Sequence, residues 1–279
     1  AATMPGEEKD DAPAKRKQEG ITVYLRMRPT KHPSKFYDVG DNEGRGQSLR
    51  WDIPADAVTK DGEYINNTKT QWAFKFDQVL PMDISQAQVF DRVGKHVVQN
   101  ALDGYNSTVF AYGQTGSGKT HTMLGHRGDR GVIQMALAKL FNEQKEHTRV
   151  TVSFVELYNE EIHDLLIDEE RRYGNHNGVG GLDLREDPIK GPCIAGVTEM
   201  PASDVETVMA LLRAGNLRRT QEPTSANETS SRSHAVLQLA IESSEKPETQ
   251  HRGRRVKIKR SSKLSMIDLA GSERAAETK

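Results

Sequence analysis

The stretch FAYGQTGSGKTHTM, Phe110 to Met123, runs an apolar segment into a set of glycines and a lysine. Within it GQTGSGKT fits the pattern G-x-x-x-x-G-K-[ST]. Gly113, Gly118, Lys119 and Thr120 take the defining places, and Gln114, Thr115, Gly116 and Ser117 lie between them. Glycine has no Cβ, so backbone amides can turn inward on an anion, and a helix N-terminus behind them adds positive potential. Such a loop grips phosphate. Lys119 would reach the β- and γ-phosphates of a nucleoside triphosphate, and the Thr120 hydroxyl would ligate the Mg²⁺ that travels with it.

Two further stretches could complete the site. KLSMIDLAGSE carries the apolar residues Leu264, Met266 and Ile267 into Asp268, where a carboxylate can hold a Mg²⁺-bound water. Three residues on, Gly271 can offer an unobstructed amide to a γ-phosphate. Alone, D-x-x-G is also an ordinary strand-to-turn sequence; beside a phosphate loop it points to a switch that senses nucleotide state. NETSSRSH, Asn227 to His234, gathers hydroxyls and one arginine ahead of the strand-like AVLQLAI. Those hydroxyls can close on a γ-phosphate and Mg²⁺, or cap a strand as a plain polar loop.

The elements that must position these residues alternate between strand and helix, the signature of a layered α/β fold. Residues 1–19 have mixed charge and little apolar content, and read as a flexible leader. ITVYLRMRP alternates Ile21, Val23, Leu25 and Met27 with more polar residues, which predicts a half-buried first strand ending at Pro29. Loops and short strands follow, then a strand-like alternation over 73–80. An apolar stripe of Val89, Phe90, Val93, Val97 and Val98 predicts a helix from Ser85 to about Ala101. STVFAY reads as a buried strand feeding the glycine turn, with a helix starting at Lys119. GVIQMALAKLFNEQKE predicts another helix, and RVTVSFVELYNEEIHDLL a strand running into a short helical turn. Residues 168–181 read as a surface loop. Ser203 and Glu206 match a capping box for a helix to about Arg218.

The chain has 279 residues and 35% hydrophobic content, enough for one large domain core. Its net charge of -1 gives no basic excess of the kind that marks a nucleic-acid binder. No apolar run approaches the roughly 18 residues that span a bilayer, which predicts no membrane insertion, and nothing at the N-terminus resembles a secretory signal. The single cysteine, Cys193, cannot close an internal disulfide and reads as a small, partly buried hydrophobe. NHNG around His176 has no second cluster at metal spacing, so no metal site beyond nucleotide Mg²⁺ is expected.

RMRP, FAYGQTGSGKTHTM, VELYNEEIHDLL, NETSSRSHAVL and DLAGSE stand in the order and approximate spacing of a kinesin motor domain. The resemblance covers residues 20–279. INNTKTQWAFKFDQVL and VVQNALDGYNSTVFAYGQTG look most like the ninth kinesin class, linked with cilia and flagella. The resemblance implies a three-layer P-loop NTPase fold with a central mixed sheet, ATP and Mg²⁺ as ligands, and the microtubule as partner. It also implies a cytoplasmic, cytoskeletal location, in a cilium or flagellum for that class. It would put Arg26, Arg28 and Pro29 around the adenine, with His121 packing nearby. Ser230 would lie near the attacking water or γ-phosphate and Ser231 on Mg²⁺ with Thr120 and, through water, Asp268. Arg232 would pair with Glu273 when both switches close, with Gly271 sensing the γ-phosphate. No N-K-x-D guanine reader is present, and Ser272 and Glu273 follow Gly271 where a myosin has an aromatic.

The family's relay helix, main microtubule-binding elements, last sheet strand and neck linker lie beyond DLAGSE, and are expected to be absent here. A dimer would then form through a stalk outside the chain. On that expectation Leu264, Met266 and Ile267 would be left partly exposed. The basic run His251 to Lys263 reads as a solvated hairpin or an acidic-partner contact, and Lys190 lies where the family makes a secondary contact. The alternative to a stepping ATPase is a nucleotide-responsive microtubule-binding protein that does not step.

Overall fold

The computed structural model describes residues 20–41, 46–53, 70–167, 182–188, 191–220, 232–244, 250–251, 254–255 and 259–273. The expected leader, the 168–181 loop, Lys190, Val256, Ile258, Ser230 and Ser231 lie outside the described residues. The chain divides into two compact units, Ala1–Pro81 and Met82–Lys279.

In the first unit β2 (Tyr37–Asp41), β3 (Gln47–Asp52) and β4 (Gln71–Phe76) form an antiparallel sheet, while β1 (Tyr24–Arg26) runs parallel to β5 (Gln78–Leu80). The first strand is shorter than its alternation predicts, and Ile21 and Val23 are 80% and 47% exposed. Its only strand partner among the described residues, β5, is three residues long, and ahead of that ladder Asp77 takes over. The Asp77 carboxylate accepts from Val23 N at 2.6 Å, and Asp77 N donates back to Val23 O at 2.9 Å. A side chain thus closes the entry that a longer ladder would have buried.

The second unit begins with α1 (Gln86–Val89), a π-helical turn (Phe90–Gly94) and α2 (Lys95–Leu102). Ser85 caps α1 through a reciprocal bond with Gln88. Next come β6 (Ser107–Ala111), α3 (Lys119–Met123), the hairpin β7 (Gly125–His126) and β8 (Asp129–Arg130), and α4 (Val132–Glu143). β9 (Thr148–Tyr158) follows and turns back as β10 (Glu161–Asp164). The expected helical turn after β9 is therefore a two-residue hairpin. Asn159 and Glu160 both take positive φ, 50° and 65°, as the turn that matches strand twist requires.

Beyond β11 (Leu184–Asp187), β12 (Gly191–Ile194) and β13 (Met200–Ala202), α5 (Val205–Thr220) is capped by Asp204, not by Ser203. The Asp204 carboxylate accepts from Thr207 N at 2.8 Å and from the Ser203 hydroxyl at 2.9 Å, and these bonds hold its pKa below the usual value. A carboxylate one residue closer to the helix outcompetes the hydroxyl. The remaining strands are β14 (His234–Ser244), β15 (Gln250–His251), β16 (Arg254–Arg255) and β17 (Lys259–Asp268).

The main sheet runs β10-β9-β14-β17-β6, with β13 also on β9; β17 and β6 are parallel and the other pairs antiparallel. Register stacks the side chains of β9, β14 and β17 in rows. Val152, Leu239 and Leu264 make one row, Phe154, Leu237 and Met266 the next, and Glu156, Ala235 and Asp268 the last. The first two rows are at most 3% exposed, and each large aliphatic buried this way contributes about 1.5–3 kcal/mol. Contrary to the expected exposure, Leu264 and Met266 are buried at 0% and 1%, because β17 sits between two strands and under α2 and α3. α5 packs on β9, and α4 on both α2 and α5, so these helices share that face. β6 ends the sheet path, and its Phe110 is 49% exposed rather than buried. No helix among the described residues is long and apolar enough to cross a membrane.

Candidate functional site

The last row of the sheet marks the site. Asp268 closes β17 opposite Ala111, which closes the parallel strand β6, so both chains leave the sheet at their carboxyl ends side by side. In α/β sheets that edge is where ligands bind. After β6 the glycine turn leads into α3, and Gly118, its N-cap, has φ 101°, a left-handed conformation that side chains resist. The chain after β17 is fastened to this turn by backbone bonds. Leu269 N donates to Ala111 O at 3.3 Å and Ser272 N to Gly113 O at 3.1 Å.

Lys119 is half-buried, and its Nζ donates to the loop carbonyls of Gly113 at 2.8 Å and Gln114 at 2.9 Å. The ammonium is thereby held against the turn it serves. The Thr120 hydroxyl donates to Asp268 Oδ2 at 2.7 Å. Asp268 is 6% exposed, yet its Oδ1 has no hydrogen-bond partner among the described residues. A buried carboxylate oxygen left without a donor is costly unless something else is meant to meet it. A hydroxyl oxygen and an anionic oxygen side by side are hard donors of the type that suits Mg²⁺ or its water shell. The residues present therefore fit that ion.

Gly271 fits the site for a steric reason. A Cβ there would lie 2.5 Å from both Glu273 carboxylate oxygens and from Thr115 Oγ1. With no side chain in the way, Glu273 accepts from Thr115 N at 2.9 Å and from the Thr115 hydroxyl. The Thr115 hydroxyl, ahead of the backbone donors, holds the Glu273 carboxyl below its usual range. Glu273 is expected to pair with Arg232 when both switches close; in this structure its carboxylate takes two Thr115 donors converging from one residue. Arg232 is exposed.

Arg26, Arg28 and Pro29 belong to the first unit, where Arg26 ends β1 half-buried and the other two are exposed. Gln114, Thr115 and Gly116 are exposed on the turn, and Ser117 is half-buried. Sequence reasoning did not assign His234. Its Nδ1 accepts from Ala270 N at 3.1 Å, joining the end of NETSSRSH to DLAGSE. It closes a motif already singled out, so the signal was present. Arg219 and Ser233 were also missed. Arg219 donates to Glu156 at 3.3 Å and to the Ser233 hydroxyl and carbonyl at 3.0 and 2.8 Å, all in the interior. That network anchors the chain just before β14.

A family model for the kinesin motor domain matches residues 26–279. The chain is similar to human kinesin-like protein KIF18B, 38% identical over 247 residues, which is 87% of this chain and 26% of that protein. It is 36% identical over 275 residues to Arabidopsis thaliana kinesin-like protein KIN-8B, covering 96% of this chain and 31% of the relative. Mouse kinesin-like protein KIF19 is 40% identical over 217 residues, 74% of this chain and 20% of its own length. The chain thus spans a fifth to under a third of these relatives. A solved structure described as that of a fast kinesin, with implications for ATPase mechanism and interactions with microtubules, superposes with a TM-score of 0.69 at 28% identity. The match covers 93% of this chain and 68% of the solved one.

Proposed function

Because the chain belongs to the kinesin motor-domain family and has its α/β phosphate-loop fold, we propose that it binds and hydrolyses ATP as part of a microtubule motor. The observation that carries this reading is the pairing of Thr120 with Asp268, whose second oxygen has no donor among the described residues beside the phosphate turn. Thr120 and Ser231 would hold Mg²⁺ directly and Asp268 through water. When bound, the ion would neutralise charge developing on the phosphate oxygens.

Lys119 would exchange its two carbonyl bonds for β- and γ-phosphate oxygens. Ser230 would orient the attacking water, and the Gly271 amide would meet the γ-phosphate. Arg232 and Glu273 would pair when both switches close. Arg26, Arg28, Pro29 and His121 would line the base. No strong base stands alone in this set, so rate enhancement would come from positioning and electrostatics. The ninth-class affinity and a ciliary or flagellar location are part of the same proposal, and they rest on the two stretches quoted above.

Lys119→Ala is expected to abolish MgATP binding in calorimetry, because backbone amides alone cannot balance the phosphate charge. Unchanged affinity would overturn the phosphate-loop assignment. ATP hydrolysis by the intact protein that microtubules do not accelerate would favour a binding protein that does not step.

A further inference from the structure

A second group of chemistry-bearing side chains sits where α3 runs into the β7–β8 hairpin. His121 is on α3, His126 on β7 and Asp129 on β8, and one ligand atom of each lies within 4.8 Å of the other two. Asp129 Oδ2 is 3.6 Å from His121 Nε2 and 3.9 Å from His126 Nε2. Neither distance is a hydrogen bond. Both histidines nevertheless converge on one carboxylate oxygen, their ring centroids 5.2 Å apart and their planes 41° from parallel. Donors spaced this way around a common point are arranged as ligands are.

We propose that His121, His126 and Asp129 form a binding site for a divalent transition-metal ion of the Zn²⁺ class. Two imidazoles and a carboxylate are the donor set such ions take, whereas Mg²⁺ and Ca²⁺ favour oxygen alone. Donors in a tetrahedral site with bonds of about 2.0–2.1 Å lie roughly 3.3 Å apart. The two shorter distances need to contract by well under 1 Å on that scale. The side chains are free to do so, being 42%, 62% and 43% exposed. An outer contact orients one ligand already. His126 Nδ1 lies 3.1 Å from the Arg127 carbonyl oxygen. A carbonyl only accepts, so Nδ1 donates and the Nε2 lone pair is left facing Asp129, the outer-shell pattern of metal-bound histidines. Occupancy would clamp the end of α3 to the hairpin that leads into α4. None of the three residues is assigned to Mg²⁺, but His121 is also placed beside the base, so the titration is made without nucleotide and its variants are confined to His126 and Asp129, which the nucleotide reading does not use.

The test is a Zn²⁺ titration of the whole chain against a chromophoric chelator in excess Mg²⁺, with a parallel Co²⁺ titration read in the visible. The expected result is one site that Mg²⁺ does not compete for, with the intense d–d bands of low-coordinate Co²⁺. His126→Asn and Asp129→Asn should each weaken Zn²⁺ binding at least about tenfold, the loss that even an outer-shell partner costs. Equal affinity in the folded double variant would overturn the proposal, as would competition by Mg²⁺. Circular dichroism reports whether the variants fold. If they do not, the Co²⁺ spectrum of the unaltered chain decides, and a weak octahedral spectrum sinks the site.

Discussion

Glu156 on β9 and Asp268 on β17 flank Ala235 in the same row of the main sheet, and both are buried, at 1% and 6% exposure. Their surroundings differ. Glu156 meets the Arg219 guanidinium, which also donates twice to Ser233, so its charge is balanced within the protein. Among the described residues, Asp268 meets one neutral hydroxyl and keeps an oxygen without a partner. A carboxylate answered from inside holds the fold together, whereas one left half-answered is poised for something from outside. The two ends of a single sheet row thus separate a structural charge from the one we propose to be functional.

The largest effect expected is on the structural side. Glu156→Ala would strand Arg219 in the interior and should cost about 3–5 kcal/mol in denaturant unfolding. Replacing both partners, with Glu156→Leu and Arg219→Met, should recover much of that loss, since a well-packed apolar pair carries no desolvation penalty. A cost under about 1 kcal/mol for the single variant, the range of an exposed pair, would break the comparison.

Asp268→Asn should do the reverse. The amide oxygen can still accept from Thr120, and no ion pair is lost, so stability should move by less than about 1 kcal/mol. Mg²⁺-dependent ATP turnover should fall about tenfold to a hundredfold, as when an outer-shell carboxylate is removed. Equal damage to stability and turnover would make Asp268 another structural charge.

How legible each side was follows from sequence distance. Gly113 to Thr120 are contiguous, and their chemistry depends on backbone conformation, so the phosphate turn and the start of α3 could be read directly. Asp268 stood out because it ends an apolar run. Glu156 and Arg219 are 63 residues apart and only strand register and helix packing bring them together, so neither drew notice. Asn159–Glu160 carries no glycine and reads as helix-forming, which hid the hairpin. The histidine and aspartate set drew no notice for a related reason. Its members are divided between a helix and a hairpin, and no periodic spacing links them before the chain folds. The expected exposure of Leu264 and Met266 came from counting missing neighbours, whereas β14, β6 and the helices over β17 suffice to bury them.

The smallest effect concerns Glu273, a third carboxylate, which lies at the surface of the site and tests whether outside contacts are exchangeable. Its pKa is lowered from 4.5 chiefly by the Thr115 hydroxyl. A carboxyl with a depressed folded-state value contributes stability above pH 4.5, and that contribution is lost as pH falls through the lowered value. Thr115→Ala should therefore raise the Glu273 pKa toward 4.5 in a carboxyl-carbon NMR titration. Gly271→Ala should do the same by another route, since its methyl group would occupy the space where the Glu273 oxygens meet Thr115. If both variants leave the titration unchanged while Arg232→Ala raises it, the carboxylate rests on the arginine in solution. The contact with Thr115 would then not be the resting arrangement. If Thr115 controls the titration until MgATP is added and Arg232 controls it afterwards, the carboxylate changes partners with the nucleotide, which a permanently neutralised charge such as Glu156 cannot do.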